Sequence, residues 1–198
     1  MPKTAKQEAK AEQILQGAIQ EFLQDGYAST SMARIASRAG VSKETLYSYF
    51  ESKEKLFEAI VRRIARQHLQ EVYQSEPLPD DPAERLRLLS PKALTPENLN
   101  PMRMNFYRLI VGESGRFPDI AKFYVEHFEK PGLEISTGYL QETNQLRCSD
   151  PEAVAWIISG TLSYYYQMME MLQGKQVMNM TLDRLIEALI ELLLDSHR

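Results

Sequence analysis

Residues 43–50 carry side chains of the types that read nucleic acid. Their spacing predicts a short helix with Leu46 and Phe50 on one face, because residues four apart lie on the same side of a helix. The opposite face is polar and holds Glu44, Thr45, Tyr47 and Ser48. Short polar side chains on such a helix can contact base edges in the major groove, and a tyrosine hydroxyl can reach phosphate oxygens. This segment is therefore a candidate for DNA recognition.

The residues before this segment predict a sharp turn between two short helices. Thr30 or Ser31 can cap a helix that ends at Gly40, and Ser42 can cap the next helix. Glycine permits the turn because it adopts backbone conformations that other residues avoid. This is the arrangement of a helix-turn-helix over residues 31–50. Helical proteins that never touch DNA also contain it, so the geometry alone leaves DNA binding open.

Residues with catalytic or metal-binding chemistry are not grouped in the sequence. The three histidines, His68, His127 and His197, are far apart and lack the spacing of a helical zinc site. Cys148 has no histidine close to it in the sequence, and there is no glycine-rich phosphate loop. We therefore expect no enzyme activity, no metal and no cofactor.

The elements that position these side chains are predicted to be helical along almost the whole chain. Apolar residues recur at spacings of three and four, and no segment has the alternation of a β-strand. The predicted helices cover residues 5–24, 32–39, 43–50, 53–74, 83–89, 99–111, 151–172 and 182–195. A further helix begins at Pro118 and must kink or break at Pro131-Gly132. The sequence thus predicts an all-α protein, in which a long fourth helix joins an N-terminal three-helix domain to a C-terminal helical domain.

Composition and charge predict a cytoplasmic protein of two parts. The chain has 198 residues and a net charge of −4, but residues 1–66 hold eleven Lys and Arg against eight Asp and Glu, and the rest hold twelve against nineteen. A basic head of +3 on an acidic body of −7 is compatible with a nucleic-acid-binding module joined to another domain. The longest apolar run, 153–158, has six residues, whereas a membrane span needs roughly 20. The single cysteine, Cys148, can form no disulfide within the chain. The short apolar run and the lack of disulfides predict that the protein is neither exported nor membrane-spanning.

An ordered string of turns, caps and aromatic positions runs through residues 8–68 without a gap. It consists of Ile14-Leu15, Gly26-Tyr27, Thr30-Ser31-Met32, Ile35-Ala36, Ala39-Gly40-Val41-Ser42-Lys43-Glu44-Thr45-Leu46-Tyr47-Ser48-Tyr49-Phe50 and Ser52-Lys53-Glu54-Lys55-Leu56-Phe57. This string resembles the DNA-binding domain of bacterial transcriptional regulators of the TetR/AcrR family. Beyond it the chain resembles the family in helical layout, and residues 116–121, Arg-Phe-Pro-Asp-Ile-Ala, are similar to the AefR-like subset of its C-terminal domains.

The resemblance implies DNA contacts at positions that match the family motif. The residues implied to contact base edges are Lys43, Glu44 and Thr45. The residues implied to contact phosphates are Ser31, Ser42, Tyr47, Tyr49 and Lys53. Glu44 remains open between two roles, because its carboxylate can accept from a cytosine amino group or point to solvent and only exclude wrong sites.

One position departs from the family pattern. Many relatives carry a basic residue where this chain has Ala33. The neighbouring Arg34 can supply the phosphate contact, or that contact is absent. Lys3, Lys6 and Lys10 can add a basic arm along the adjacent DNA backbone or minor groove.

The last two predicted helices carry apolar stripes that are wider than one neighbouring helix covers. The residues assigned to a dimer interface are Ile158, Leu162, Leu182, Leu185, Ile186, Leu189, Ile190 and Leu193. Packing this pair of helices against its copy gives a four-helix interface, whose two-fold symmetry suits a palindromic operator. Family members dimerise through their last two helices, so the resemblance implies a homodimer. An ordinary intramolecular core is the alternative.

Aromatic and thioether side chains in the C-terminal body are candidates for an effector pocket. They are Phe106, Tyr107, Phe117, Phe123, Tyr124, His127, Trp156, Tyr164, Tyr165 and Met168. Aromatic stripes are also typical of a packed core, so pocket and core remain alternatives for each residue. A ligand in such a pocket must bind the conformation that does not bind DNA more tightly than the one that does.

We interpret the chain as a TetR-type helix-turn-helix domain over residues 8–68, followed by an effector-binding and dimerisation domain over residues 75–198. The resemblance implies a homodimeric repressor that binds double-stranded DNA at a palindromic operator and is released by a small apolar or amphipathic molecule. The alternative is a helical dimer that binds a lipophilic small molecule without a DNA role. The salt dependence of binding separates the two hypotheses. DNA binding weakens steeply as the salt concentration rises, because the release of counterions from DNA becomes less favourable.

Overall fold

A computed structural model describes residues 5–73, 77–94 and 101–194, and these residues are mainly helical. The helices are α1 Ala5–Ser29, α2 Met32–Arg38, α3 Lys43–Tyr49, α4 Lys53–Tyr73, α5 Pro82–Leu94, α6 Pro101–Glu113, α7 Pro118–Tyr124, α8 Lys130–Gln141, α9 Pro151–Tyr166 and α10 Leu182–Leu193. In these ranges the β-structure is limited to one isolated bridge, between Leu146 and Leu194. The all-α fold is therefore confirmed. No helix in the described part of the chain is long and apolar enough to cross a membrane.

The predicted starts of several helices are confirmed by capping hydrogen bonds. The side chains of Ser31, Ser42, Asp150 and Thr181 each accept a hydrogen bond from the amide three residues further along. These bonds satisfy backbone donors that have no partner within the helix. Between the two candidates for the cap of α2, the structure selects Ser31.

Helix α1 ends later than the sequence predicted, but it is interrupted where the sequence placed the stop. The backbone at Gly26 is non-helical, with φ +79° and ψ 166°, and a short second helical piece continues to Ser29. A positive φ suits glycine because glycine has no Cβ to clash with the backbone. The prediction that α1 ends at Gln24 is thus wrong, because the helix continues to Ser29. The predicted interruption next to Asp25-Gly26 is confirmed.

The chain does not break at Pro131-Gly132, although a kink or break was predicted there. A π-helical segment, Val125–Glu129, leads directly into α8, and Pro131 lies in the first turn of α8. The irregularity therefore precedes the proline and takes the form of a wider helical turn. A second π-helical segment, Gln167–Met171, follows α9 in place of the last predicted turns of that helix.

The first of two compact units comprises Met1–Ala65 and Met102–Phe128. It thus adds α6 and α7 to the helix-turn-helix region, beyond the domain predicted over residues 8–68. Its core is continuous, and the largest side chains in it that are almost fully buried are Phe22, Tyr27, Phe57 and Phe106. Phe57 stacks on Phe106 with ring centroids 5.0 Å apart.

The second unit comprises Arg66–Pro101 and Glu129–Arg198. Within it α8 packs against α9, and α5 packs against α10. A small core forms from Leu162, Ile186 and Leu189, with Leu86 of α5 against it. Arg87 of α5 also donates two hydrogen bonds to the Glu187 carboxylate of α10, at 2.6 and 2.7 Å.

We predict that Gly17→Ala destabilises the first unit. A Cβ built at Gly17 would lie 2.9 Å from both the backbone nitrogen and the Cβ of Ala39, so α1 and α2 would have to move apart. Overpacking of this kind typically costs about 1–3 kcal/mol of unfolding free energy. Chemical denaturation followed by circular dichroism measures the loss. Gly112→Ala is the matched control, because nothing lies within 4 Å of its Cβ and alanine is the better helix former. Equal stability of the two variants would contradict the prediction.

Candidate nucleic-acid interface

Helix α3 is held by one buried residue and presents a polar outer face. Leu46 is fully buried in the core of the first unit, whereas Tyr47 is 52% exposed. Lys43 and Glu44 are also exposed, and Thr45 is half-buried. Two of the three side chains predicted to read bases, Lys43 and Glu44, are therefore at the surface of α3, and the third, Thr45, is half-buried beside them.

Tyr49 differs from Tyr47 in its surroundings. Tyr49 is half-buried and packs against the core of the first unit. Both tyrosines were predicted as phosphate contacts, but only the ring of Tyr47 stands largely in solvent. If Tyr49 contacts a phosphate, it must do so through its hydroxyl group, because its ring packs against the core.

The first turn of α3 is organised around the hydroxyl of Ser42. This hydroxyl accepts from the Thr45 amide at 3.1 Å and lies 3.1 Å from the Thr45 hydroxyl. Hydrogen bonds from its own backbone amide and from Ser42 hold the pKa of the Glu44 carboxyl below its usual value. The ionised form of Glu44 is thus favoured by groups in the first turn of its own helix.

The turn between α2 and α3 is fixed by a side chain that the sequence did not identify. Gly40 has a φ of +62°, and its neighbour Ala39 accepts a hydrogen bond at 2.6 Å from Nε2 of Gln13 in α1. Lys10 in turn donates to Gln13 Oε1 at 2.8 Å. Lys10 therefore supports the turn, while Lys6 is exposed and Lys3 lies outside the described residues.

Arg34 lies on the exposed side of α2, within a network of charged and polar groups. Its Nε is 3.1 Å from a carboxylate oxygen of Glu21, and its Nη2 contacts Asp25. Arg38 has a similar arrangement, with Nε 2.7 Å from the other oxygen of Glu21 and Nη2 donating to Gln24 at 2.6 Å. Glu21 is 4% exposed, so one buried carboxylate orients both guanidinium groups.

Lys53, which was predicted to contact a phosphate, is directed towards its own chain. Its ammonium donates to the carbonyls of Tyr27 at 2.8 Å and Thr30 at 3.1 Å. It also lies 4.4 Å from the centre of the Tyr27 ring, a cation–π contact. Desolvation lowers the pKa of Lys53, and the nearby carboxylates of Glu54 and Glu113 oppose that shift. In this structure Lys53 binds the C-terminal end of α1.

Tyr27 connects this end of α1 to α4, α6 and α7. Its amide donates to Oε1 of Glu113 at 3.1 Å, and the Ala28 amide approaches the same oxygen at 3.4 Å. Its hydroxyl donates to Glu54 at 3.3 Å, and its ring packs edge-on against Phe117 at 4.9 Å. Burial raises the pKa of the Tyr27 hydroxyl, and Glu54 adds to the shift. The hydrogen bond between Tyr27 and Glu113 joins residues 86 positions apart, so no local sequence pattern predicts it.

The ten pocket candidates fall into the two units. Those in the first unit are Phe106, Tyr107, Phe117, Phe123, Tyr124 and His127, and all except His127 belong to or pack against its core. His127 stacks on Phe123 with ring centroids 3.9 Å apart. Those in the second unit are Trp156, Tyr164, Tyr165 and Met168. Trp156 and Tyr164 are each 62% exposed, so they do not line an enclosed cavity within one chain.

The dimer candidates are mostly used inside the second unit. Leu162, Ile186 and Leu189 are buried there. Those that pack partly buried against them are Ile158, Leu182, Ile190 and Leu193, while Leu185 is half-buried. The large apolar side chains that remain exposed on α9 and α10 are Trp156, Ile157, Tyr164 and Leu192.

Two family models match the chain. Residues 14–60 match the bacterial regulatory proteins of the tetR family. Residues 94–197, more than half of the chain, match the C-terminal domain of AefR-like transcriptional repressors. Both matches agree with the resemblances found in the sequence.

Individual relatives are transcriptional regulators. The HTH-type transcriptional regulator RutR of Escherichia coli (strain K12) is 46% identical over 56 residues, 28% of this chain and 26% of RutR, so the chain matches about a quarter of that relative. The solved structure of the flavonoid-responsive regulator FrrA is 30% identical and superposes with a TM-score of 0.71, covering 93% of this chain and 92% of FrrA. A complex of SmeT with triclosan shares the fold at 21% identity and a TM-score of 0.74, covering 94% and 92%.

We predict that Glu113→Ala destabilises the first unit by about 1–3 kcal/mol, because it leaves the Tyr27 amide without its acceptor. Glu113→Gln keeps an acceptor oxygen and should lose less. Urea denaturation of the full chain measures both changes. Glu126→Ala is the control, since Glu126 makes an exposed ion pair with Lys122 at 3.8 Å and such pairs contribute little. If Glu113→Ala loses no more unfolding free energy than Glu126→Ala, the hydrogen bond between Glu113 and the Tyr27 amide does not stabilise the unit.

Proposed function

The chain belongs to the TetR family of bacterial regulatory proteins, and from this premise we propose that it represses transcription as a homodimer on a two-fold-symmetric DNA operator. A small apolar or amphipathic ligand releases it from that operator. The observation that carries the proposal is the construction of α3, in which Leu46 is fully buried and hydrogen-bonding side chains occupy the outer face.

The outer face of α3 is suited to the major groove. A recognition helix places its N-terminal residues against base edges, and here those residues are Lys43, Glu44 and Thr45. Lysine can donate to guanine, and threonine can contact either a polar edge or a thymine methyl group. Glu44 can accept from a cytosine amino group once its carboxylate turns outward from Ser42.

The phosphate contacts are proposed for side chains around α3 and at the start of α2. Ser31, Ser42 and Tyr47 are exposed and carry hydroxyl groups that can donate to phosphate oxygens. Tyr49 can add its hydroxyl from the edge of the core. Lys53 is engaged by the carbonyls of Tyr27 and Thr30, so we infer that it supports the interface by fixing the turn before α2.

The dimer is proposed to form through the exposed faces of α9 and α10. Trp156, Ile157 and Tyr164 are exposed on α9, and a Cβ at the intervening Gly160 would have nothing within 4 Å. This small residue lets a partner helix approach closely between the aromatic side chains. Two copies related by a two-fold axis present two α3 helices, which suits half-sites roughly 34–36 Å apart.

Ligand release is supported by the relatives. FrrA is named as flavonoid-responsive, and SmeT was solved with triclosan. Both names describe proteins that respond to or bind small aromatic molecules. A ligand of this class releases the protein from DNA only if it prefers one conformation. It must bind the conformation whose two α3 helices have the wrong spacing for the operator more tightly than the conformation that binds DNA.

We predict that Tyr47→Ala weakens binding to all duplexes about equally, whereas Thr45→Ala also relaxes base preference. The reason is that phosphate contacts carry affinity and base contacts carry sequence information. Selection of bound duplexes from a random pool identifies the operator, and fluorescence anisotropy measures each variant. Tyr47→Phe is the matched control that removes only the hydroxyl. Unchanged affinity for Tyr47→Ala would mean that α3 enters DNA in another orientation.

We predict that the double variant Trp156→Ser/Tyr164→Ser is largely monomeric at micromolar concentration and binds the operator at least tenfold more weakly. It removes two aromatic side chains, each 62% exposed, that the dimer would bury. Analytical ultracentrifugation measures the mass. Val177→Ser is the control, because Val177 is 83% exposed but lies outside α9 and α10. A double variant that remains dimeric would place the interface elsewhere.

A further inference from the structure

The groove between α1 and α2 is lined by two arginines with different outer partners. Its volume is about 240 Å³, and it is lined by Glu21, Arg34, Ser37 and Arg38. Glu21 accepts a hydrogen bond from Nε of Arg38 and forms an ion pair with Arg34, whose Nε is 3.1 Å from its second oxygen. The outer nitrogen of Arg38 binds the neutral amide of Gln24, whereas the outer nitrogen of Arg34 contacts the charged Asp25.

We propose that a DNA backbone phosphate binds in this groove and that Asp25 limits the affinity by competing with it for Arg34. The inference rests on the proposed function, because it assumes that α2 faces DNA. The first helix of a helix-turn-helix crosses the DNA backbone, and Arg34, Ser37 and Arg38 are exposed on one side of that helix. Two guanidinium groups and one hydroxyl suit a phosphate.

Glu21 is a positioning residue in this arrangement. Its side chain is 5% exposed, compared with 46% for Arg34 and 36% for Arg38. It therefore lies on the inner side of both arginines, whose terminal nitrogens contact Gln24 and Asp25.

Asp25 has the opposite effect on the same arginine. Its side chain is 27% exposed and contacts Nη2 of Arg34, one of the nitrogens that a phosphate would bind. When Arg34 moves from Asp25 to a phosphate, Asp25 regains a counterion while the DNA loses one. The net release of counterions at this position is then close to zero, and the salt dependence of binding is shallower than the number of contacts suggests.

The test is Asp25→Asn in the full-length protein, with binding to the selected operator measured by anisotropy between 50 and 200 mM salt. We expect the variant to bind about three- to tenfold more tightly at 50 mM salt, with a slope of log K against log salt steeper by up to about 0.9. Gln24→Ala removes a neutral partner from Arg38 and should leave the slope unchanged.

Two controls separate competition for Arg34 from a general change of charge. Asp119→Asn removes the same charge from an exposed position on α7. In an Arg34→Gln background, the gain from Asp25→Asn should fall to within twofold. A gain that persists in that background, or that matches Asp119→Asn, overturns the inference. Thermal unfolding of each variant shows whether it is folded.

The outcomes also separate this inference from the proposed function. If the wild-type protein enriches a two-fold-symmetric sequence but Asp25→Asn binds like wild type, only the competition by Asp25 is wrong. If the folded wild-type protein enriches no sequence at any salt concentration, both the proposed function and this inference are wrong.

Discussion

The end of α1 is bound from two sides by oppositely charged side chains. Glu113 accepts from the amides of Tyr27 and Ala28, and Lys53 donates to the carbonyls of Tyr27 and Thr30. Buried backbone groups need such partners, because an unpaired amide or carbonyl away from water is costly. The direction in which the chain enters α2 depends on this turn, and the orientation of α3 depends on α2. The polar face of α3 is therefore positioned both by Leu46 in the core and by contacts that lie outside α3.

The local features of the fold could be predicted from the sequence. The caps at Ser42, Asp150 and Thr181 and the break next to Gly26 each depend on residues within one helical turn. Family membership and the all-α fold were also predicted correctly, because an ordered string of such local signals is specific. The end of α1 was misplaced, since the helical piece after Gly26 is stabilised by distant side chains.

The direction of individual side chains could not be predicted in the same way. Lys53 has the type and position of a phosphate contact, but the carbonyls that it binds belong to the end of α1 and to the turn after it. On α9 and α10 the apolar stripes continue around the helix, so periodicity did not distinguish the side buried against α5 from the exposed side with Trp156 and Tyr164. Which of two apolar faces is buried depends on tertiary packing, which a single sequence does not contain.

The core of the first unit joins parts of the chain that are distant in sequence. Phe57 stacks on Phe106, and Tyr27 packs on Phe117. A fragment that ended after residue 68 would retain the helix-turn-helix but lose Phe106, Glu113 and Phe117. Its remaining aromatic rings would face water, which favours aggregation over independent folding. The DNA-binding head is thus a product of two separate chain segments, and genetic shuffling at the boundary of its sequence motif would remove the core side chains that α6 and α7 supply, among them Phe106, Ile110, Ile120 and Tyr124.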